Sequence, residues 1–277
     1  MPTASINGVQ LFYELTGDGG PPLALVHGSW GSSNGWAPVV PTLSQNFRVL
    51  AYDRRGHGQS ECPPEQGSAE EDAADLAALI DHLGFAPAHV AGISFGGSIA
   101  LRLAASRPEV VRSVAAQEPP LFDLLAADPD QEPLLQELRA RMGAVVAALA
   151  AGDAEGGARQ FMDTLAFGPG TWDLMASEER QWCIDMSPTF LDETRDPEAY
   201  TIDLSALAAF PRPILLTYGD QSPACFPPVI ALLATALPRA KVHLFPGVGH
   251  VPTDTHPTEY AVALTAFAKA TDAAGSG

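Results

Sequence analysis

His89-Val90-Ala91-Gly92-Ile93 runs directly into Ser94-Phe95-Gly96-Gly97-Ser98-Ile99-Ala100-Leu101, and the reading of this junction decides the fold. Its central residues, Gly92-Ile93-Ser94-Phe95-Gly96, match the G-x-S-x-G pattern in which a serine sits on a sharp strand-to-helix turn. Such a turn is strained and tolerates only small neighbours, which Gly92, Gly96 and Gly97 supply. It would lift the Ser94 hydroxyl to the start of a helix, where the helix dipole favours developing negative charge. The bland alternative is a glycine-rich turn carrying a passive serine.

Working outward, the first half of the chain alternates short strands with helices. Val9 to Leu15 reads as a strand ending in the turn Gly17-Asp18-Gly19-Gly20-Pro21-Pro22. Leu23-Ala24-Leu25-Val26 is an unbroken apolar run, as expected of a strand buried on both faces. Phe47 to Tyr52 reads as a third strand. Ser68 and Glu71 have capping-box spacing ahead of Leu76, Leu79, Ile80 and Leu83, which recur at helical intervals up to Gly84. A strand near Val110 to Ala116 follows the serine's helix. Strands separated by helices imply a parallel sheet with helices on both faces.

From about Leu121 to Ala209 the strands stop. Helical segments are predicted near Pro133 to Ala151, Ala154 to Leu165 and Glu178 to Met186. Strand signals return at Pro213 to Tyr218 and Lys241 to Phe245, before a last helix near Pro257 to Lys269 and a frayed tail after Asp272. The expected organisation is one core, residues 1–120 and 210–277, interrupted between its sixth and seventh strands by an all-helical insert, residues 121–209. The insert is either a second domain or a lid; the lid is preferred because both flanks belong to one sheet.

A serine hydroxyl is a poor nucleophile until a base takes its proton. Of seven histidines, His250 is the best placed, in the loop Gly247-Val248-Gly249-His250-Val251-Pro252 after the final strand. His256 is a weaker rival. His27, His82, His89 and His243 read as structural. Chemistry on an acyl group also needs backbone amides aimed at the developing oxyanion. Phe95, just after the serine, offers one, and Ser29 in His27-Gly28-Ser29-Trp30 offers the second.

Composition narrows the function classes. The chain has 277 residues, 46% hydrophobic and 17% charged, enough to bury a sizeable core. Its formal net charge is −18, with Lys241 and Lys269 the only lysines, so nucleic acid and anionic membranes are unfavourable partners. No apolar run approaches the roughly 18 residues of a membrane span, and the N-terminus does not resemble a signal peptide. Cys62, Cys183 and Cys225 have neither disulfide nor metal-ligand spacing, which fits a reducing, cytoplasmic setting. No metal site is expected, and the oligomeric state is not legible.

His27-Gly28, Asp53-Arg54-Arg55-Gly56-His57-Gly58-Gln59-Ser60, the turn at Ser94 and Gly249-His250, in this order, resemble the α/β-hydrolase superfamily over nearly the whole chain. The resemblance implies an α/β fold with eight mostly parallel strands flanked by helices, a helical lid inserted after the sixth, and no cofactor. It also makes Asp53 and His57 structural residues of a turn beside the site.

The family's usual acid follows the seventh strand in a G-x-x-Asp turn. Here the turn reads Gly219-Asp220-Gln221-Ser222, with serine at the acid's position. The sixth strand instead ends in Ala116-Gln117-Glu118-Pro119-Pro120. Lactone hydrolases of the zearalenone-degrading type and several haloalkane dehalogenases are similar in taking the acid from there. Glu118 is therefore the expected partner of His250, with Asp220 the alternative acid and a merely structural glutamate a third reading.

A serine nucleophile suits hydrolysis of an apolar carboxylic ester or lactone through an acyl-enzyme. It argues against epoxide and haloalkane chemistry, which needs a carboxylate nucleophile. Carbon–carbon bond hydrolysis and cofactor-free perhydrolysis are rivals on the same residues, and a ligand receptor with little turnover is the rival of another class. Aromatic residues of the lid mostly pack its own core, but Trp182 is a substrate-binding candidate by analogy with the lactone hydrolases. Trp30 is another, by its position next to Ser29.

Overall fold

The computed structural model describes residues 2–63 and 67–275. In chain order its main elements are β1 (Thr3–Ile6), β2 (Val9–Thr16), β3 (Pro22–Val26), β4 (Arg48–Tyr52), α1 (Ala69–His82), β5 (Ala88–Ile93), α2 (Phe95–Ser106) and β6 (Val111–Gln117). After these come α3 (Glu132–Ala150), α4 (Ala154–Phe161), α5 (Ser177–Arg195), α6 (Leu204–Ala209), β7 (Ile214–Gly219), α7 (Phe226–Ala236), β8 (Lys241–Phe245) and α8 (Pro257–Gly275). One eight-stranded sheet runs in the order β1-β2-β4-β3-β5-β6-β7-β8. The β1–β2 and β2–β4 pairs are antiparallel, and the other pairs are parallel. This is the eight-stranded, mostly parallel α/β architecture that the motif order implies.

Burial explains the unbroken apolar runs. All of β3 and β5 is buried. Alternate side chains serve two cores: Ala24 and Val26 join one, with α1 and α2, while Leu23 and Leu25 join the other, with Trp36, Tyr260 and Leu264. Helix α1 starts as its sequence suggests, because Ser68 Oγ accepts from the Glu71 amide at 3.2 Å. The carboxylate of Glu71 turns to Ser68 Oγ and Arg55.

Three expectations need correction. A strand, β1, precedes the first one expected, joined to β2 by Asn7-Gly8 with φ of 46° and 84°. This is the left-handed backbone that an Asn-Gly hairpin turn adopts. Helix α5 does not stop at Met186 but continues through Pro188 to Arg195. Packing outweighs the lost hydrogen bond, since the turn beyond Pro188 buries Phe190 against Trp30 and Phe161. The last helix does not stop near Lys269: α8 reaches Gly275, with Asp272 meeting Arg112 at 3.0 Å and His89 at 3.3 Å, while the final two residues of the expected frayed tail lie outside the described residues.

Among the described residues, only helices and turns lie between β6 and β7, over the segment from Phe122 to Ala209. No described helix is long and apolar enough to cross a membrane.

Candidate active site

Parallel register brings the chain's chemical groups to one end of the sheet. Val26 pairs with Gly92, Ile93 with Gln117, and Gln117 with Thr217, so the loops after β3, β5, β6 and β7 leave the sheet side by side. In open α/β sheets this carboxyl-end crevice is where ligands bind.

Ser94 occupies the turn between β5 and α2 with φ 53° and ψ −126°. A side chain at Gly92 would collide with the carbonyl of Gly96, and one at Gly96 with those of Val26 and His27. The two glycines are therefore required by close backbone approach. The Ser94 amide donates to Gln117 O at 2.8 Å, which ties the turn to β6. Four described non-glycine residues have positive φ, and three of them, Trp30, Ser94 and Glu118, lie in loops at this end. Backbone strain of that kind costs on the order of 1–3 kcal/mol each and persists where the surroundings over-determine it.

Glu118 is wholly buried. Its Oε2 is 2.6 Å from His250 Nδ1, and its Oε1 accepts from the Gly219 amide at 2.8 Å. With a carboxylate there, Nδ1 carries the proton and Nε2 is left as the acceptor on the opposite side of the ring. The imidazole stacks on Phe226 with ring centroids 4.5 Å apart and planes 13° apart. Asp220 lies elsewhere: it is exposed and accepts from the Gly247 amide at 2.7 Å, holding the turn before His250. Ser222, at the position where the family usually has its acid, has a buried hydroxyl with no partner among the described residues.

Ser94 and His250 line the same two cavities. One, of about 220 Å³, extends over His27, Trp30 and Phe167. The other, of about 30 Å³, is lined by Phe122, Met142, Leu165 and Phe226. Among the described residues no hydrogen bond joins Ser94 Oγ to the imidazole; such bonds are commonly loose before a substrate arrives. Ser29 lines both cavities, and Phe95 follows Ser94 as the first residue of α2, where amides lack intrahelical partners.

The peptide joining Gly28 to Ser29 is held from the carbonyl side. Gly28 O is 2.9 Å from His27 Nδ1 and also accepts from the Gly31 amide at 3.3 Å. His27 Nε2 accepts from the Arg54 amide at 3.0 Å, so Nδ1 is the donor and the ring is neutral. Burial and the neighbouring Arg54 charge lower its pKa to about 3. Because a trans peptide points its C=O and N–H in opposite directions, anchoring Gly28 O sets the direction of the Ser29 N–H.

Of the two tryptophans singled out, Trp30 lines the larger cavity and Trp182 lines neither. The Trp182 indole N–H instead donates to Trp30 O at 2.7 Å. Asp53 is a turn-holder, accepting from Ser33 N at 2.6 Å and Gln59 N at 2.8 Å. His57 is buried against Arg55 O, and burial and the neighbouring Arg54 charge hold its pKa well below the ordinary histidine range.

Sequence reading misses a buried ionic cluster next to this loop. Arg54 reaches Asp72 at 2.9 Å and Glu193 at 2.7 Å, and Glu193 Oε2 accepts from Ser29 Oγ at 2.5 Å. Burial works against the Arg54 charge, but its two carboxylates hold its pKa above the ordinary range. Burial also pushes Asp72 up to about 6. Glu193 is 164 residues from Ser29, so no local pattern announces the contact.

A family model for the alpha/beta hydrolase fold matches residues 21–257. Among curated relatives, the chain is 42% identical over 104 residues to the dihydrolipoyllysine-residue acetyltransferase component of the acetoin cleaving system of Pseudomonas putida, covering 38% of this chain and 28% of that protein. It is 38% identical over 108 residues to the soluble epoxide hydrolase of Corynebacterium sp. (strain C12), covering 39% and 37%. These matches span well under half of either relative's length. Among solved structures, an alpha/beta hydrolase from Sphaerobacter thermophilus superposes with a TM-score of 0.77 and 28% identity, over 96% of this chain and 99% of that one. With the family match covering most of its length, the chain belongs to the α/β-hydrolase family.

Proposed function

We propose that this protein hydrolyses carboxylic esters or lactones, with Ser94 as nucleophile, His250 as general base and Glu118 as the acid that orients it. The observation that carries this reading is the buried 2.6 Å contact of Glu118 with His250 Nδ1, beside a cavity shared by His250 and the strained Ser94.

The steps follow from the residues. His250 Nε2 takes the Ser94 proton as Oγ bonds to the carbonyl carbon, and the carbonyl oxygen becomes an oxyanion facing the amides of Ser29 and Phe95. Glu118 stabilises the imidazolium that forms and fixes its tautomer. The imidazolium then protonates the leaving alkoxide as the C–O bond breaks, leaving an acyl-serine. In a lactone, the new hydroxyl stays tethered to the acyl group. Water, deprotonated by His250, repeats the sequence and releases the acid.

A serine nucleophile separates this reading from the chemistry named for the epoxide hydrolase relative, which requires a carboxylate at that position. The unequal cavities bear on substrate shape. About 30 Å³ is room for little more than about two waters. One side of the scissile bond therefore takes a short group, and the larger apolar space takes the other. The helical segment over the site, residues 121–209, acts as the lid that closes this space.

The test is a panel of aryl esters, macrolactones, diketones and epoxides, assayed with wild type and Ser94→Ala. Aryl esters or lactones are expected to turn over, and Ser94→Ala to lower kcat by at least about 10³-fold. Turnover of epoxides or diketones alone, or activity surviving in Ser94→Ala, would overturn the proposal.

A further inference from the structure

We propose that Glu193 and Trp182, both on α5 of the helical insert, are positioning residues for the oxyanion loop, so that the insert and the sheet jointly set the direction of the Ser29 amide. This rests on the proposed role of that amide.

Two separate bonds from α5 reach consecutive residues of the loop. Glu193 Oε2 accepts from Ser29 Oγ at 2.5 Å, and Trp182 donates to Trp30 O at 2.7 Å. They act where the backbone is under strain, since Trp30 has φ 62°. From the sheet side, His27 and Gly31 hold Gly28 O. The 28–29 peptide is thus gripped at its oxygen by the core, and the two residues after it by the insert.

The grip is stiff because its far end is buried and charged. Glu193 is 6% exposed and uses its other oxygen on Arg54, which Asp72 of α1 fixes through Nε at 3.2 Å and Nη2 at 2.9 Å. A hydroxyl donating to an ionised carboxylate makes one of the stronger hydrogen bonds. The same guanidinium lies 4.9 Å over the ring of Phe95, whose amide is the second oxyanion donor. Both donors therefore border one cluster, and one member of that cluster comes from the insert. Displacing α5 would free Ser29 and Trp30 together, so an open site would also be a less competent one. A shift of about 1 Å at a reacting group can cost about 10²-fold in rate.

The experiment is the rate at which an alkyl fluorophosphonate labels Ser94, measured by intact mass. In that step Oγ bonds to phosphorus, fluoride leaves, the Ser94 proton passes to His250, and charge builds on the phosphoryl oxygen facing the two amides. Ser29→Ala keeps the amide and the Arg54–Glu193 pair while removing the hydroxyl. It is expected to slow labelling about tenfold, with the KM of an aryl ester held and its kcat lowered. Glu193→Gln should slow labelling to a similar degree, and the double variant should be no slower than the slower single one, because both cut the same bond. Trp182→Phe keeps an aromatic ring, though a smaller one, loses the N–H and should slow labelling about threefold.

Labelling of Ser29→Ala and Trp182→Phe at the wild-type rate, or single effects that multiply in the double variant, overturns the inference. If Glu193→Gln does not fold, the other two variants decide. A wild type labelled no faster than Ser94→Ala would instead bring down the serine-hydrolase reading, and this inference with it.

Discussion

Glu118 and Glu193 are both buried glutamates bonded to a basic side chain, yet their partners differ in what they can become. Glu118 faces His250, an imidazole, which can exist with one ring proton or with two. Glu193 faces Arg54, which stays charged throughout. A buried carboxylate beside a titratable ring is arranged to answer a change of charge. One beside a guanidinium is arranged to hold a position. The pairs share burial and short distances, so the chemistry of the partner separates reaction from scaffold.

The comparison is tested first where the difference should be greatest. Glu118→Gln should lower kcat for ester hydrolysis by about 10³–10⁴-fold. Its thermal midpoint should stay close to wild type, because the amide keeps the shape and can still accept from Gly219. Asp220→Asn should stay within a few-fold of wild type. Loss of turnover in Asp220→Asn with Glu118→Gln intact would move the acid to the turn after β7.

The scaffold pair should show the reverse pattern. Arg54→Met leaves Asp72 and Glu193 buried without their cation and should cost about 3–5 kcal/mol of stability, read from urea unfolding. A variant as stable as wild type would show that the cluster contributes no net grip.

The smallest effect is in pH dependence. His27 titrates near 3 in the fold against an ordinary 6.5, so as pH falls from about 6.5 toward 3 the unfolded chain binds a proton that the folded one refuses. Stability drops across that window, and His57, lowered in the same direction, adds to the drop. Asp72 opposes it: its folded pKa is about 6 against 3.8, so between those values the folded chain keeps a proton that the unfolded one has released. Two histidines outweigh one aspartate, and the net change on acidification is destabilising. Urea midpoints from pH 7 to pH 4 should fall less steeply for His27→Gln than for wild type. Parallel curves would mean that His27 is not the group that resists protonation.

The groups that were legible in the sequence sit at the ends of strands, where a local pattern marks each one. A glycine-spaced serine after β5, a glutamate before two prolines after β6 and a glycine-flanked histidine after β8 can each be read within a few residues. The parallel sheet then places them together, because its register is set by the same apolar runs. Glu193 had no such marker. Its partners are 139 and 164 residues away, and Pro188 signals a helix end where packing of Phe190 carries the helix on. Trp182 is a substrate-binding candidate only by analogy with the lactone hydrolases, whereas its N–H makes the contact that the structure records, to Trp30 O. The signal for β1 was present in Asn7-Gly8, a hairpin dipeptide between Ile6 and Val9.

Glu118 touches the imidazole with one oxygen and the backbone of β7 with the other. A single side chain thus rivets the histidine loop to the end of a neighbouring strand. On the proposed assignment the connector from Asp220 to Cys225 supplies no acid, but Asp220 and Gln221 brace the turn before His250. Exposed Ala224, outside those bonds, is the position there where an exchanged residue should leave the reaction untouched.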